Sequence, residues 1–584
     1  MPKFLIVVFA FFVTCFAGCG FEAPAPEAEN GGGTLRFISG APIDTLDPQG
    51  TSWLIDFRMI ECLFEPLLRV DPATQQLEPA VADALPTVSD DGLTYTFSLR
   101  PNARWSNGDG VKSTDFIYAW RRAMMPDMAA DYSGLFQEID GAEDFFAWRT
   151  QQLANFEASG DSAQDAWDEA KTHFAQTVGL AAPNDATLVI RLRRPVAYFN
   201  ELAAFAAFMP LHEASATAFE DIDPASGNVT LQTAYFSSPD TLVGNGPYQL
   251  TKWSFKQQMV VDASPHYWAK AQMKNQRVVM QVVSDPVNAL LRYHNHEADW
   301  YPGVPTAMPQ AAELVDSNRS DVHYGSAAGT YFYLFNCQPT INGPSGERDN
   351  PLADSRVRRA LSMAVDRNLL VEKVTRLNQP VAATFVPPNA IPGYTPPVEA
   401  GVAFDPAAAK ALLAQAGYPD GAALTGLSIL CNSEGGHDKP ALAIANMWRK
   451  HLGVSVQVEL VEKTAFRERR RNQGFTIARG GWFGDYRDPT TFLDMLRQSD
   501  GNNDAKYANP TYDALLQTAA DQLVSTTRAA QLAQAEALML ADQPLMPLYH
   551  YTNLELFDPE KVQGIHPNPW NVRRFEAVSI KIRR

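Results

Sequence analysis

The chain carries two kinds of hydrophobic pattern, and together they predict a protein built from both strands and helices. Apolar and polar residues alternate over residues 34–38 and 95–99, as they do in β-strands with one buried face. Residues 56–64 instead predict a helix, and Ser113-Thr114 predicts the cap of another, apolar one. Residues 142–178 are rich in Ala, Gln and acidic residues and predict further helices, to which we assign no function.

The fold of the C-terminal half is the easiest to predict, because strands and helices alternate along its sequence. The strands lie at residues 427–430, at residues 454–460 and in a run that ends at Arg479, with helices at residues 440–452 and 464–471 between them. This order is typical of a parallel sheet with right-handed crossovers, whose ligands gather at the carboxyl ends of the strands. We therefore expect Asn432, His437 and the segment from Arg479 to Asp485 at one edge of the sheet.

The segment that follows the last of these strands, residues 479–493, reads RGGWFGDYRDPTTFL. Gly480 and Gly481 predict a turn that another chain can approach closely. Arg479 and Asp485 place opposite charges at the two ends of a short extended segment. A bound peptide needs a strand edge for its backbone and an anion for its α-ammonium group. The alternative is a surface turn with a solvated aspartate.

The first 18 residues have the pattern of a secretion signal. Lys3 precedes an unbroken apolar run over residues 4–13, which is too short to span a bilayer. Cleavage before Cys19 would resemble bacterial lipoprotein processing, in which the cysteine thiol takes a diacylglyceryl group. An ordinary signal peptide cut nearby is the alternative. Residues 19–33 predict a flexible tether of Pro, Gly and acidic residues.

Charge and cysteine content narrow the function classes further. The net charge is −18 and no basic stripe is present, which argues against a nucleic-acid partner. After Cys19 the chain keeps Cys62, Cys337 and Cys431, which can form at most one disulfide bond. Free buried thiols are the expected state, so the hydrophobic core must hold this fold together.

Enzyme motifs are missing from the sequence. It has no G-x-S-x-G elbow, no H-E-x-x-H, no phosphate-binding G-x-x-x-x-G-K-[ST] and no C-x-x-C pair. The densest metal-like group is His294-Asn295-His296-Glu297, which we interpret as a helix end. The run from Arg467 to Arg471 is most simply a solvated helix face. We expect no catalytic residue, no metal site and no cofactor.

Three stretches resemble the oligopeptide-binding proteins, the extracytoplasmic receptors of peptide ABC importers. They are residues 99–124 (LRPNARWSNGDGVKSTDFIYAWRRAM), residues 244–248 (GNGPY) and residues 479–493. The resemblance covers nearly all of the chain after the tether. It implies an α/β fold of the type II periplasmic binding proteins, in which two lobes are joined by a hinge and one lobe carries an additional domain.

This resemblance also implies a division of the chain. Lobe I comprises residues 34–64, 211–328 and 553–584, and lobe II comprises residues 329–552. Residues 65–210 form the additional domain.

The resemblance assigns roles to ten residues. Asp485 would pair with the α-ammonium group of the peptide, and Tyr132 would close over that end. Three cationic groups would meet the α-carboxylates of peptides of different lengths: Arg479, His437 and Arg470. The remaining positions would offer main-chain hydrogen bonds (Gly481, Phe483 and Leu54) or line side-chain pockets (Trp482 and Asn432).

Two departures from the family pattern concern the site. Phe483 and Gly329 stand where some relatives carry a disulfide bond, so that bond is absent here. Thr375 occupies the place of a lysine used for longer peptides, although Arg376 is adjacent. The preferred peptide length is therefore not set by the resemblance.

The sequence thus predicts a monomeric, lipid-anchored, extracytoplasmic protein that binds oligopeptides in a closing cleft. Its partners would be the peptide, the permease subunits of an ABC importer and, through Cys19, a membrane. The alternatives are a receptor of the same fold for a dipeptide, a nickel chelate, haem or an oligosaccharide, and a secreted hydrolase.

Overall fold

The computed structural model describes residues 33–343 and 346–581. The predicted signal peptide, Cys19 and the tether up to residue 32 lie outside these residues. In the described part of the chain, no helix combines the length and the apolar character needed to cross a membrane.

The strands, in chain order, are β1 (Thr34–Ser39), β2 (Leu68–Val70), β3 (Leu77–Pro79), β4 (Thr87–Val88), β5 (Thr94–Ser98), β6 (Leu180–Asn184), β7 (Thr187–Arg191), β8 (Glu220–Ile222), β9 (Val229–Leu231), β10 (Tyr248–Ser254), β11 (Gln258–Ala263), β12 (Arg277–Val282), β13 (Trp300–Tyr301), β14 (Val322–Phe335), β15 (Thr340–Gly343), β16 (Gly346–Asp349), β17 (Leu427–Asn432), β18 (Val456–Val461), β19 (Ile477–Phe483), β20 (Leu545–Phe557), β21 (Val562–Gln563) and β22 (Ser579–Ile580).

The α-helices are α1 (Leu54–Leu63), α2 (Ser113–Met124), α3 (Ser133–Phe136), α4 (Ala142–Ser159), α5 (Ala163–Thr177), α6 (Phe199–Leu202), α7 (Glu213–Ala216), α8 (Ala234–Ser237), α9 (Pro286–His294), α10 (Gln310–Asp316), α11 (Ser355–Met363), α12 (Arg367–Leu369), α13 (Pro406–Gln415), α14 (Asp438–Leu452), α15 (Lys463–Arg471), α16 (Thr490–Leu493), α17 (Pro510–Ala520) and α18 (Ser525–Asp542).

One ten-stranded mixed sheet runs through the protein in the order β10-β11-β12-β1-β13-β20-β14-β19-β17-β18. The long strands β14 and β20 lie at its centre and join its two halves. Their antiparallel pairing is interrupted between Ser326 and Thr330. A separate four-stranded sheet, in the order β4-β5-β7-β6, lies within residues 87–191.

The predicted series in the C-terminal half is confirmed. Strands β17 and β18 pair in parallel, β17 and β19 also pair in parallel, and α14 and α15 lie between them in the chain. Gly453 ends α14 in the left-handed conformation, with φ of 75°.

The prediction that the last of these strands ends at Arg479 is wrong. Strand β19 continues to Phe483, because its residues pair with β14 from Gly329 to Phe335. Gly480 and Gly481 therefore lie inside a strand and not in a turn.

The sheet is buried on both faces in the C-terminal half. Tyr331, Tyr333 and Phe335 of β14 pack into one core with α11 and α14. Phe332 and Leu334 point to the opposite face and pack into a second core with α17 and α18. This alternation follows the two-residue period of a strand, and it holds β14 firmly between two layers of helices.

Residues 142–178 form two helices, α4 and α5, as predicted. Arg149 of α4 is fully buried and forms an ion pair with Asp127 at 2.6 Å. Arg149 also donates a hydrogen bond to the carbonyl oxygen of Gly227 at 2.8 Å. The helix pair is thus tied to two other segments of the fold.

Cys62, Cys337 and Cys431 are free thiols, as the sequence predicts. Among residues 33–343 and 346–581, no three His, Cys, Asp or Glu side chains are grouped so that they could hold a metal ion. His294 ends α9, and its Nε2 lies 3.2 Å from Nη1 of Arg319.

Candidate functional site

A cavity of about 540 Å³ lies between α1 and the end of β19. Four of the predicted site residues line it: Leu54, Tyr132, Phe483 and Asp485. Much of the remaining wall is apolar, with Phe57, Phe64, Phe205 and Met209. The volume falls within the range of about 300–1,000 Å³ that small-ligand sites occupy.

Asp485 lies directly after β19, where its main-chain nitrogen donates a hydrogen bond to Oγ1 of Thr491 at 2.9 Å. The hydroxyl of Tyr132 donates to Oδ1 of Asp485 at 3.1 Å. Burial raises the pKa of this carboxyl group to about 6, although the Tyr132 hydrogen bond opposes the rise. No Lys, Arg or His of the described residues lies within ion-pair distance of Asp485. Its carboxylate therefore lacks a charge partner.

The Tyr132 ring is fixed by two other aromatic rings. It packs edge-on against Phe205, with ring centroids 4.9 Å apart, and lies 6.3 Å from the Phe57 ring. Because Tyr132 and Asp485 are 353 residues apart in the chain, only the folded structure brings this donor to the carboxylate.

The two glycines of β19 are required by close packing on both sides. A side chain at Gly480 would collide with the Phe332 ring, and one at Gly481 would collide with the Tyr551 hydroxyl. Strand β17 pairs with β19 only at Ile477 and Ala478. Beyond Ala478, no strand of the described residues covers the edge of β19 that faces away from β14. This edge can offer main-chain hydrogen bonds to another extended chain.

Phe483 and Gly329, where the resemblance implies a disulfide bond in some family members, are direct cross-strand neighbours. The Phe483 ring lies against Gly329 and stacks on Tyr551, with centroids 4.5 Å apart. About half of Phe483 remains exposed. An aromatic contact thus occupies the place of the missing covalent bond.

Arg479 carries a second unpaired charge. Its guanidinium group lies 5.2 Å from the centroid of the Tyr331 ring, and its Nη2 donates to the Tyr551 hydroxyl at 3.1 Å. Its Nε is buried without a hydrogen-bond partner. No carboxylate of the described residues lies within ion-pair distance of Arg479. The group is therefore suited to an anion supplied by a ligand.

His437 lies beside Arg479 but differs from the expected cation. Its ring stacks on Tyr331, and its Nδ1 lies 3.2 Å from the Tyr331 hydroxyl. Burial and the positive charge of Arg479 lower the pKa of His437 to about 4. The imidazole is consequently neutral at pH 7, and it can serve a ligand as a hydrogen-bonding group but not as a charge.

The other predicted site residues already have partners. Arg470 of α15 donates to Oδ2 of Asp504 at 2.6 Å and 2.9 Å, so its charge is balanced within the protein. Asn432 donates to the carbonyl oxygen of Glu434 at 3.0 Å. Trp482 donates to the carbonyl oxygen of Thr491 at 2.6 Å.

The cavity brings together only part of the predicted site. The cavity wall includes Asp485 together with Leu54, Tyr132 and Phe483. It does not include the other six predicted residues: Arg479, His437, Arg470, Gly481, Trp482 and Asn432. Thr375, which stands in the place of a lysine, bonds to Gln379 at 2.5 Å.

The segment after Asp485 contacts the N-terminal part of the chain in a way that the sequence did not reveal. Arg487 forms a bidentate ion pair with Glu201, with distances of 2.8 Å and 2.9 Å. Tyr486 stacks on Tyr198, with centroids 4.8 Å apart. These contacts hold the two sides of the cavity together. No sequence pattern identifies such partners, because Arg487 and Glu201 are 286 positions apart.

Comparison with known proteins agrees with this architecture. Residues 76–504 match the family model described as bacterial extracellular solute-binding proteins, family 5, middle. The chain is 28% identical to the oligopeptide-binding protein OppA of Bacillus subtilis (strain 168), with 96% of each chain covered. It is 31% identical to the periplasmic murein peptide-binding protein MppA of Escherichia coli (strain K12), with 90% of this chain and 89% of that protein covered.

Two solved structures show the same fold. The unliganded open form of the murein tripeptide binding protein MppA superposes with a TM-score of 0.73 at 29% identity, covering 94% of this chain and 97% of that chain. Haemophilus influenzae OppA in complex with RPPGFSPFR gives a TM-score of 0.69 at 26% identity, covering 94% and 99%. These structures confirm the predicted α/β fold of the type II periplasmic binding proteins. The chain belongs to the bacterial extracellular solute-binding proteins of family 5.

Proposed function

We propose that this protein binds oligopeptides in the cleft beside Asp485 and delivers them to an ABC importer. Membership of a family of solute-binding proteins confirms the prediction that the chain is not an enzyme. The observation that carries the peptide proposal is a half-buried carboxylate, Asp485, that has no cation beside it. A peptide α-ammonium group would supply that cation when the cleft closes.

The remaining groups fit a peptide in the same orientation. The open edge of β19 would bond the peptide backbone irrespective of its sequence. Arg479 would take the α-carboxylate, and His437 would donate or accept a hydrogen bond as a neutral ring. Arg470 would have to leave Asp504 to reach a ligand. A neutral oligosaccharide would leave both Asp485 and Arg479 without charge partners, which argues against that alternative.

The two sides of the site are already in contact, because Tyr132 donates to Asp485 at 3.1 Å and Arg487 pairs with Glu201 at 2.8 Å. In this proposal, opening moves Leu54 of lobe I and Tyr132 of the additional domain away from Asp485 and Phe483 of lobe II and admits the peptide. Leu54 is exposed, with 45% of its surface accessible, although it lines the cavity. The proposed residue bounds of the two lobes and the additional domain are those that the family resemblance implies. Ligand would select the closed form, and the permease would recognise it.

The peptide proposal is tested by titrating the purified protein with trialanine and, separately, with maltotriose. Trialanine carries the two terminal charges that Asp485 and Arg479 lack, whereas maltotriose carries none. We expect calorimetric binding of trialanine and no measurable binding of maltotriose. Binding of the sugar, or of neither ligand, would contradict the proposal.

We further propose that the protein is a monomer held at an extracytoplasmic membrane surface by a lipid on Cys19. The support is the residue pattern before Cys19 and the polar tether after it. Cys19→Ser should release the protein from washed membranes into the soluble fraction, as fractionation and immunoblotting would show. If the variant remained in the membrane fraction after a salt wash, Cys19 would not be the anchor.

A further inference from the structure

The cavity contains a second carboxylate without a partner. Glu61 of α1 lines the cavity and is only half-buried, because part of its surface faces that space. Its carboxylate forms no ion pair or hydrogen bond with any residue in the described part of the chain. Asp485 lines the same cavity and also lacks a cation.

The other charged residues of the cavity wall are neutralised within the protein. Their ion pairs are Glu65 with Arg69 (3.0 Å), Glu201 with Arg487 (2.8 Å), Arg573 with Glu555 (2.9 Å), and Arg574 with Glu78 (2.6 Å) and Glu576 (2.7 Å). Among the described residues, Glu61 and Asp485 are therefore the two carboxyl groups of the cavity wall that have no cation within ion-pair distance.

The surroundings of Glu61 make a lone negative charge costly. Burial raises the pKa of Glu61 to about 8, although the nearby charges of Arg58 and Arg573 oppose this rise. The negative charge of Glu576 raises the pKa of Glu61 further. Both arginines lie beyond ion-pair distance of Glu61, and Arg573 forms an ion pair with Glu555. A cation inside the cavity would relieve this cost.

Helix α1 places Glu61 at a definite distance from Leu54. Leu54, Phe57 and Glu61 lie three and four positions apart, so they share one face of α1, and all three line the cavity. At a rise of about 1.5 Å per residue, Glu61 lies roughly 10 Å along the helix from Leu54. A side chain that starts beside Leu54 must be long to approach the carboxylate.

We propose that Glu61 receives the ammonium group of a lysine side chain at the first position of the peptide. The proposal rests on the proposed function, since it requires the α-ammonium group of the peptide at Asp485. The first side chain then enters the same cavity, where Phe57 and Phe205 contact its four-carbon stem and Glu61 its charge. The protein would accordingly prefer oligopeptides that begin with lysine.

The test compares Lys-Ala-Ala with norleucine-Ala-Ala, which keeps the four-carbon stem but lacks the charge. Wild-type protein should bind Lys-Ala-Ala at least ten times more tightly in calorimetry at pH 7. Glu61→Gln should abolish this preference, because the amide cannot balance the ammonium group, and circular dichroism shows whether the variant is folded. Glu313→Gln, which removes the same charge at an exposed site on α10, should keep the preference.

Each outcome has a distinct meaning. Equal affinities in the wild type, or a preference that survives in Glu61→Gln, would overturn the role of Glu61 while trialanine binding still supported the proposed function. Failure of wild-type protein to bind any of the three peptides would overturn both proposals.

Discussion

Asp485→Asn is expected to weaken trialanine binding by about 3 kcal/mol, a factor of more than 100 in Kd. The amide has nearly the shape of the carboxylate and keeps an oxygen for the Tyr132 hydroxyl. It cannot balance a buried ammonium group, whose charge would lose its counter-charge on binding. Calorimetry of the wild type and the variant at pH 7 measures this difference.

The dependence of affinity on pH provides an internal check. In the free protein the pKa of Asp485 is raised to about 6 by burial, and a bound ammonium group would lower it. Affinity should therefore be highest near pH 7. It should fall below pH 6, because protons then compete with the peptide for Asp485, and fall again above about pH 8, where the α-ammonium group loses its proton. Asp485→Asn should lack the fall below pH 6, and the exposed control Asp240→Asn should retain it. Unchanged affinity in Asp485→Asn would remove this residue from the site.

Arg149→Met is expected to destabilise the protein by about 3–5 kcal/mol, because it leaves a buried carboxylate without its cation. Asp127 has no exposed side-chain surface, and its Oδ1 also accepts a hydrogen bond from the Val229 main-chain nitrogen at 2.9 Å. The substitution therefore disturbs the packing of α4 against two other segments. Urea unfolding monitored by circular dichroism measures the loss.

Two further variants distinguish the stability lost with the buried ion pair from the effect of removing any arginine charge. Arg193→Met removes an exposed arginine that pairs with Glu143, and it should cost less than about 1 kcal/mol. Combining Asp127→Leu with Arg149→Met removes both charges, and it should recover part of the stability lost in Arg149→Met. If Arg149→Met unfolded at the same urea concentration as the wild type, the ion pair would contribute nothing to the fold.

The C-terminal sheet could be predicted because its signals are local. The alternation over residues 454–460 indicates a strand, and the glycine after Leu452 indicates the end of a helix. Each signal involves only a few neighbouring residues. The parallel order of β17, β18 and β19 then follows from general rules of chain connection. The same rules placed Asn432 correctly at the carboxyl end of β17, whereas Arg479 lies inside β19.

The features that escaped prediction depend on partners distant in the chain. Gly480 and Gly481 resemble a turn in isolation, and only pairing with β14 makes them part of a strand. The charge state of His437 depends on burial and on Arg479, which lies 42 positions later. Glu61 likewise attracts no attention until the folded cavity shows that the other charged residues of its wall, apart from Asp485, form ion pairs.

The most direct test of the central claim is a cycle of trialanine and N-acetyl-trialanine against wild-type protein and Asp485→Asn. Acetylation removes the α-ammonium group and leaves the strand-like backbone intact. If Asp485 binds that group, acetylation should weaken binding to the wild type by a factor of about 100 or more and should have little effect on the variant. Equal affinity of the wild type for the two peptides would contradict the account.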